Sequence, residues 1–204
     1  MGLREWMKPR FQDLAMRQMN HMRSETIEEA EGEVLEVGFG TGLNLSYYGP
    51  AVTTLVGLDP MDVTEVESVQ ARIRGVSFPI ERKALRADGG LPFDAGRFDT
   101  IVTTWTLCSI PEVDKALKEM RRVLKPGGRY VFIEHGRADA DSTARWQDRV
   151  NPLWNRMCDG CNINRKIDRL VEEGGFELES LDRFRAKGPG IVAQMYRGVA
   201  TRNG

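Results

Sequence analysis

From residue 33 onwards, short apolar runs alternate with longer polar segments of helical character. The apolar runs are rich in Val, Ile, Leu and Phe, and Gly, Pro or polar residues bound them, which is typical of buried strands. Five strands are predicted, at residues 34–37, 54–58, 76–81, 98–103 and 129–134. A charged helix is predicted at residues 113–124, where Lys125-Pro126-Gly127-Gly128 would end it. Alternation of this kind predicts a parallel sheet with helices on both faces.

The C-terminal part of the chain predicts two further strands. A helix is expected at residues 167–173, and strands are expected at 176–185 and 191–200 with a Gly-Pro-Gly turn between them. Such a turn favours an antiparallel pair at the sheet edge. The predicted fold class is therefore α/β, a Rossmann-like seven-stranded sheet with five parallel strands and an antiparallel edge pair, formed by residues 1–204 as a single domain.

Two segments fall outside this alternation. Residues 1–30 carry apolar side chains at about helical spacing, which predicts one or two amphipathic helices. These side chains are Trp6, Met7, Phe11, Leu14, Met16, Met19 and Met22. Residues 137–165 are polar but contain Trp146 and Trp154. We expect residues 1–30 to form an N-terminal helical lid and residues 137–165 an inserted substrate lid.

Charge and cysteine content narrow the functional classes. The 204 residues include 29 Lys and Arg against 30 Asp and Glu, a net charge of -1, so no basic excess points to a nucleic-acid partner. Three cysteines do not suggest a disulfide framework, and no apolar run is long enough to span a bilayer. A cytoplasmic location is the expectation, with a possible peripheral membrane contact through residues 1–30. The sequence does not indicate an oligomeric state.

A glycine-rich loop follows the first predicted strand, in the sequence Val-Leu-Glu-Val-Gly-Phe-Gly-Thr-Gly at residues 34–42. Its glycines permit a tight turn and a close approach of the backbone to a ligand. Residues 43–48 are expected to begin a helix whose first amides point at that ligand. A dinucleotide fingerprint would need a glycine where Leu43 stands, so the loop predicts a different nucleotide-type ligand.

Further candidate ligand-binding residues follow the other strands. Asp59 lies about 20 residues beyond the loop, where an acid can hold two ribose hydroxyls, although an ordinary Asp-Pro turn is the alternative. Trp105 could close over an adenine or a sulfonium, or could simply pack in the core. The predicted cofactor-binding residues all lie at the ends of the first four strands: Glu36, Gly38, Phe39, Gly40, Gly42, Asn44, Asp59, Pro60, Met61, Ala87, Asp88, Gly89, Thr104 and Trp105.

These motifs resemble those of the class I S-adenosylmethionine-dependent methyltransferases. The general resemblance is carried by residues 34–45, 57–60, 97–102 and 119–128. Residues 106–110, 132–136, 151–154 and 159–161 resemble bacterial relatives of the methyltransferase-like group that includes animal thiol S-methyltransferases. The resemblance implies S-adenosylmethionine as cofactor and a small-molecule methyl acceptor. It also implies an acid that binds adenine before Leu91; Ala87 holds the usual position of that acid, and Asp88 follows it.

The acceptor implied by this resemblance is a thiol or sulfide. Alternatives are N-, O- or C-methylation of a lipid-like or quinone acceptor, or a cofactor-binding protein without activity. His135, just after the fifth strand, is the candidate catalytic base, with a structural role as the alternative. Candidate substrate-binding residues are Trp105, Cys108, Trp146 and Trp154. Cys158 and Cys161 have C-x-x-C spacing, but no further ligands lie near them in the sequence, so no metal is predicted.

Overall fold

The computed structural model describes residues 19–61 and 66–203, which contain one seven-stranded sheet and five helices. The strands are β1 (Gly32–Val37), β2 (Val52–Leu58), β3 (Ile80–Lys83), β4 (Phe98–Thr104), β5 (Leu124–His135), β6 (Glu177–Arg185) and β7 (Gln194–Thr201). The helices are α1 (Asn20–Ile27), α2 (Glu67–Arg74), α3 (Val113–Val123), α4 (Asp141–Met157) and α5 (Ile167–Glu173).

The strand order is β3-β2-β1-β4-β5-β7-β6, and β1 to β5 are parallel. β7 runs antiparallel to both β5 and β6. The predicted α/β fold with five parallel strands and an antiparallel edge pair is confirmed. The order reverses between β1 and β4, and ligands of open α/β sheets bind at the carboxyl ends of strands beside such a point.

Adjacent residues of the central strands supply the cores on the two faces of the sheet. Val34 packs with Ile27 of α1 and Val69 of α2 on one face. Leu35 packs with Leu117 of α3 and Val171 of α5 on the other. Because successive strand side chains point to opposite faces, each apolar run serves both cores, and the fully buried runs read as continuous rather than alternating.

Several predicted boundaries differ from the structure, and three of the differences have a clear local cause. β3 begins at Ile80 rather than at residue 76, directly after Pro79, which has no amide hydrogen to donate to a neighbouring strand. The helix expected at residues 43–48 is wrong, because only the 3-10 turn Leu45–Tyr47 forms before the Gly49-Pro50 step. β5 starts at Leu124 because residues 125–128 form a bulge in its pairing with β4.

The two flanking segments are partly described. α1 agrees with the helix expected near the N-terminus, while the candidate apolar residues from Trp6 to Met16 lie outside the described residues. The segment at 137–165 contains the 17-residue helix α4, with Pro152 inside it. The roles of both segments as lids stay predictions. In the described part of the chain, no helix has the length and apolarity to cross a membrane.

Candidate active site

The glycine loop after β1 presents one open backbone position. Gly38 and Gly40 both have positive φ, +84° and +52°. A Cβ added at Gly38 would lie 2.0 Å from Oγ1 of Thr106, so this turn packs directly on the chain after β4. A Cβ added at Gly40 would meet nothing within 4 Å. Gly40 is therefore the place where a ligand can approach the backbone, as a cofactor-binding loop requires.

Asp59 joins this loop to the end of β2. Its Oδ2 accepts a hydrogen bond of 2.8 Å from the amide of Gly40, and its Oδ1 accepts one of 2.9 Å from the amide of Met61. Pro60, between Asp59 and Met61, is exposed. Each carboxylate oxygen keeps a further lone pair, which suits a pair of ribose hydroxyls. The structure thus brings together the loop and the acid that the sequence singled out, and their contact with a cofactor stays a prediction.

Glu36 lies beneath the loop, with only 1% of its surface exposed. Its carboxylate accepts hydrogen bonds of 2.8 Å from Nδ2 of Asn44 and 2.8 Å from the hydroxyl of Tyr48. Burial raises the pKa of Glu36 to about 7, although both hydrogen bonds oppose the shift. Glu36 therefore fixes the chain that follows the loop, and a direct contact with the cofactor stays a prediction.

Arg23 of α1 extends this buried network, and the sequence offered no signal that distinguishes it from other arginines. Its guanidinium donates hydrogen bonds to Oδ1 of Asn44 and, at 3.2 Å, to Oγ1 of Thr104. It also lies 4.7 Å from the centre of the Trp105 ring. α1 is thereby attached to the carboxyl ends of β1 and β4 beside the predicted cofactor site.

The buried carboxyl of Glu36 should make stability depend on pH. Because the pKa is higher in the folded protein than in the unfolded chain, Glu36 favours folding below about pH 4.5 and loses this contribution as pH rises to about 7. Over this range the free energy of unfolding should fall by up to about 3 kcal/mol more for the wild type than for Glu36→Gln. Urea unfolding of both proteins across the range measures the difference, and parallel pH profiles would contradict it.

Two other predicted cofactor residues use their side chains within the protein. Asp88, in the 3-10 turn Ala87–Gly89, accepts hydrogen bonds from Nε and Nη2 of Arg86 at 3.0 and 2.9 Å, and one from the amide of Glu112. Arg86 lowers the pKa of this carboxyl. The Phe39 side chain is buried in the core, so only its backbone belongs to the loop. The adenine contact of Asp88 stays a prediction.

A second group of residues meets at the ends of β4 and β5. One ligand-type atom each from Cys108, His135 and Cys161 lies within 4.8 Å of the other two. Sγ of Cys161 is 3.4 Å from Nε2 of His135, which is 8% exposed. Nδ1 of His135 is buried and has no hydrogen-bond partner among the described residues. These three residues could hold a soft divalent metal or a sulfur-containing ligand; a role of His135 as base stays a prediction.

The surroundings of Cys161 favour its thiolate. The neighbouring Cys108 thiol has the largest effect, and together with His135 and Trp154 it lowers the pKa of Cys161 well below its usual range despite burial. Nε1 of Trp154 is buried and has no acceptor in hydrogen-bond geometry within the described chain. Cys158, three residues before Cys161 in the C-x-x-C motif, is not part of this group.

Glu134 holds the loop that carries Cys108. Its carboxylate accepts hydrogen bonds of 2.9 Å from the amide of Thr106 and 3.2 Å from that of Leu107. Burial raises the pKa of Glu134 to about 7. Glu134 therefore positions the chain after β4 and makes no hydrogen bond that would orient His135.

The structure places Trp146, a candidate substrate-binding residue, at a cavity on the surface. Trp146 is 52% exposed and lines a cavity of about 430 Å³ with Ser142, Thr143 and residues 189–191, which does not include His135. Contact of Trp105, Trp146 and Trp154 with the acceptor stays a prediction.

Comparisons with known proteins agree with this geometry. A family model described as "Methyltransferase domain" matches residues 35–132. Human thiol S-methyltransferase TMT1A is 32% identical over 155 residues, covering 75% of this chain and 63% of that protein. Phosphatidylethanolamine N-methyltransferase of Cereibacter sphaeroides is 30% identical over 148 residues, covering 72% of this chain and 71% of that protein. The chain thus spans less than two thirds of the human relative.

The fold is shared with YcgJ of Bacillus subtilis, with a TM-score of 0.68, 17% sequence identity, and coverage of 92% of this chain and 99% of that one. The sequence relatives and this shared fold together show that the chain belongs to the class I S-adenosylmethionine-dependent methyltransferases. Its cofactor is S-adenosylmethionine.

Proposed function

We propose that this chain methylates the sulfur of a small thiol or sulfide. The observation that carries this proposal is the 32% identity with a human thiol S-methyltransferase over three quarters of the chain. The cluster of two cysteines and a histidine at the ends of β4 and β5 supports it, because it provides an environment that favours anionic sulfur at the predicted acceptor site.

The loop and its neighbours fit the cofactor. Asp59 would hold the ribose hydroxyls, and the open side of Gly40 would lie against the ligand. The ring of Trp105, fixed by Arg23, would cover one side of the site. S-adenosylmethionine, when bound, supplies a methyl group on a sulfonium that is already activated for displacement.

The remaining task of the protein is to orient the acceptor and exclude water. Trp154, beside Cys161, and Trp105, whose carbonyl oxygen accepts from the Cys108 thiol, offer apolar surface for this. A free thiol with a pKa of about 8.5 is only a few per cent ionised at neutral pH, and its thiolate is the better nucleophile. The rate should therefore rise with pH through the ionisation range of the acceptor thiol.

The proposal is tested with the full chain, labelled cofactor and acceptors that differ in one atom. A short alkyl thiol should be methylated, while the alcohol and the amine of the same chain length should not. Two thiols with different pKa values should give rate profiles displaced along the pH axis by that difference. Normal cofactor binding without turnover of any thiol would overturn the proposal.

A lipid-like acceptor is the second candidate, favoured by the 30% identity with phosphatidylethanolamine N-methyltransferase over 72% of the chain. Vesicles that contain phosphatidylethanolamine form the matching arm of the same assay. Label transferred to the lipid amine, with none transferred to thiols, would select this alternative over the first.

A further inference from the structure

We propose that Cys108, His135 and Cys161 bind one zinc ion whose fourth position receives the acceptor thiol. The zinc site itself was not predicted from the sequence. The binding of the acceptor thiol at its fourth position rests on the proposed thiol methylation. Both inferences start from the contact of three side chains that lie far apart in the sequence.

The geometry is that of a tetrahedral zinc site. With zinc bonds of about 2.3 Å to sulfur and about 2.0 Å to nitrogen, ligand atoms stand roughly 3.5–3.8 Å apart. The Cys161 sulfur and the His135 nitrogen are 3.4 Å apart, and all three ligand atoms lie within 4.8 Å of one another. Small side-chain rotations suffice to place a metal between them. Two thiolates and one imidazole are the donor types that zinc prefers.

Backbone pairing and hydrogen bonds hold the chain around the three ligand residues in place. His135 ends β5, so the sheet fixes its backbone. The amide and the Nδ2 of Asn162 donate hydrogen bonds of 2.8 and 3.0 Å to the carbonyl oxygen of Cys108, which ties the loop of Cys108 to the neighbour of Cys161. Glu134 holds the two amides before Cys108.

Three protein ligands leave one tetrahedral position, which is the arrangement of catalytic rather than structural zinc sites. Ser109 lies nearby, with its hydroxyl 3.4 Å from the sulfur of Cys108, but a neutral hydroxyl is a weak ligand that a thiolate would displace. The charge balance also admits a third sulfur. Zinc neutralises two cysteine thiolates, and the guanidinium of Arg165 interacts favourably with both sulfurs.

The chemical step then balances without a protein base. The acceptor thiol binds the metal through sulfur and releases its proton to water. The sulfur forms a bond to the methyl carbon as the bond from that carbon to the sulfonium sulfur breaks, which gives a thioether and S-adenosylhomocysteine. The neutral thioether is a weaker ligand than a thiolate and leaves. This assignment makes His135 a metal ligand in place of the base that the sequence suggested.

Metal content tests the site. The full chain, purified without chelators and supplied with zinc, should hold one zinc ion per chain by elemental analysis. Cys108→Ser and Cys161→Ser should each weaken zinc binding by at least about a hundredfold in a competition with a chelator. Cys158→Ser is the matched control and should bind zinc as the wild type does. Circular dichroism of each variant confirms that it is folded.

The same experiment can give three contrary results. No zinc in the folded wild type would overturn the site, and normal thiol turnover in that metal-free protein would show that the proposed function stands without it. Loss of zinc in Cys158→Ser with retention in Cys108→Ser would move the metal to the C-x-x-C motif and overturn the assignment. Bound zinc without turnover of any thiol would uphold the site and overturn the proposed function.

Cobalt tests the fourth position. Co²⁺ in the zinc site shows thiolate charge-transfer absorption whose intensity follows the number of bound sulfurs. Adding a short alkyl thiol should raise this absorption by about half, as two thiolate ligands become three. The alcohol of the same length should leave the spectrum unchanged. A spectrum that does not respond to the thiol would contradict binding of the acceptor at the fourth position, and the metal would then have a structural role only.

Discussion

Asp59→Ala is expected to weaken the binding of S-adenosylmethionine roughly tenfold to a hundredfold. The variant removes a charged hydrogen-bond acceptor from the ribose, for which about 1.5–3 kcal/mol is the usual loss. It also removes the carboxylate that accepts hydrogen bonds from the amides of Gly40 and Met61, so the open loop position loses its anchor. Isothermal titration calorimetry with the cofactor product, S-adenosylhomocysteine, measures the effect without turnover.

Asp94→Ala is the control, because Asp94 is an exposed acid in the turn before β4. It should bind the cofactor product as the wild type does. Asp59→Asn keeps one carbonyl acceptor and should fall between the wild type and Asp59→Ala. Equal affinities for wild type and Asp59→Ala would remove Asp59 from the cofactor site and restore the reading of residues 59–60 as an ordinary turn.

The strands could be predicted because their signal is local. Residues such as Val34 and Leu35 are buried on opposite faces of a covered sheet, so each strand is an uninterrupted apolar run bounded by turn residues. The helix at Ile167–Glu173 was predicted with its observed limits, since two glycines follow it directly. The loop and Asp59 were also recognisable, because their spacing along the chain reflects the first β-α-β unit.

α4 was missed because a polar side chain anchors much of it. Gln147 is fully buried, and its side-chain amide nitrogen, Nε2, lies 2.8–3.0 Å from the carbonyl oxygens of Gly136, Ile163 and Ile191, among which its two hydrogens are shared. Leu153 and Met157, the apolar residues that a helical pattern would place inside, are instead exposed. Pro152 lies in its interior, a residue that ordinarily ends or kinks a helix, so the sequence did not distinguish this segment from a loop.

The cluster of Cys108, His135 and Cys161 could not be predicted for a different reason. Its members meet only because β4 and β5 end side by side and because Asn162 binds the loop of Cys108. The C-x-x-C spacing suggested that Cys161 would act with Cys158, whereas the structure brings the free thiol of Cys161 close to that of Cys108. Contacts between loops depend on the tertiary fold, which local spacing does not encode.

Gly38→Ala is expected to reduce both stability and cofactor binding. The φ of +84° is costly for any residue with a Cβ, and the new Cβ would lie 2.0 Å from Oγ1 and 2.8 Å from Cβ of Thr106. Since Cβ of Thr106 is fixed to the backbone, side-chain rotation alone cannot relieve the overlap. The free energy of unfolding should fall by about 2–4 kcal/mol. Urea unfolding measures this loss.

Cofactor affinity should fall with it by more than about tenfold, because displacement of Gly38 also moves the amide of Gly40 away from Asp59. Gly49→Ala is the matched control: Gly49 follows the next turn, has no positive φ, and an added Cβ there meets nothing within 4 Å. It should change neither quantity by a measurable amount. Gly38→Ala could instead lose stability and still bind S-adenosylhomocysteine with unchanged affinity. Gly38 would then be needed only for packing on Thr106, and it would have no part in ligand binding by this loop.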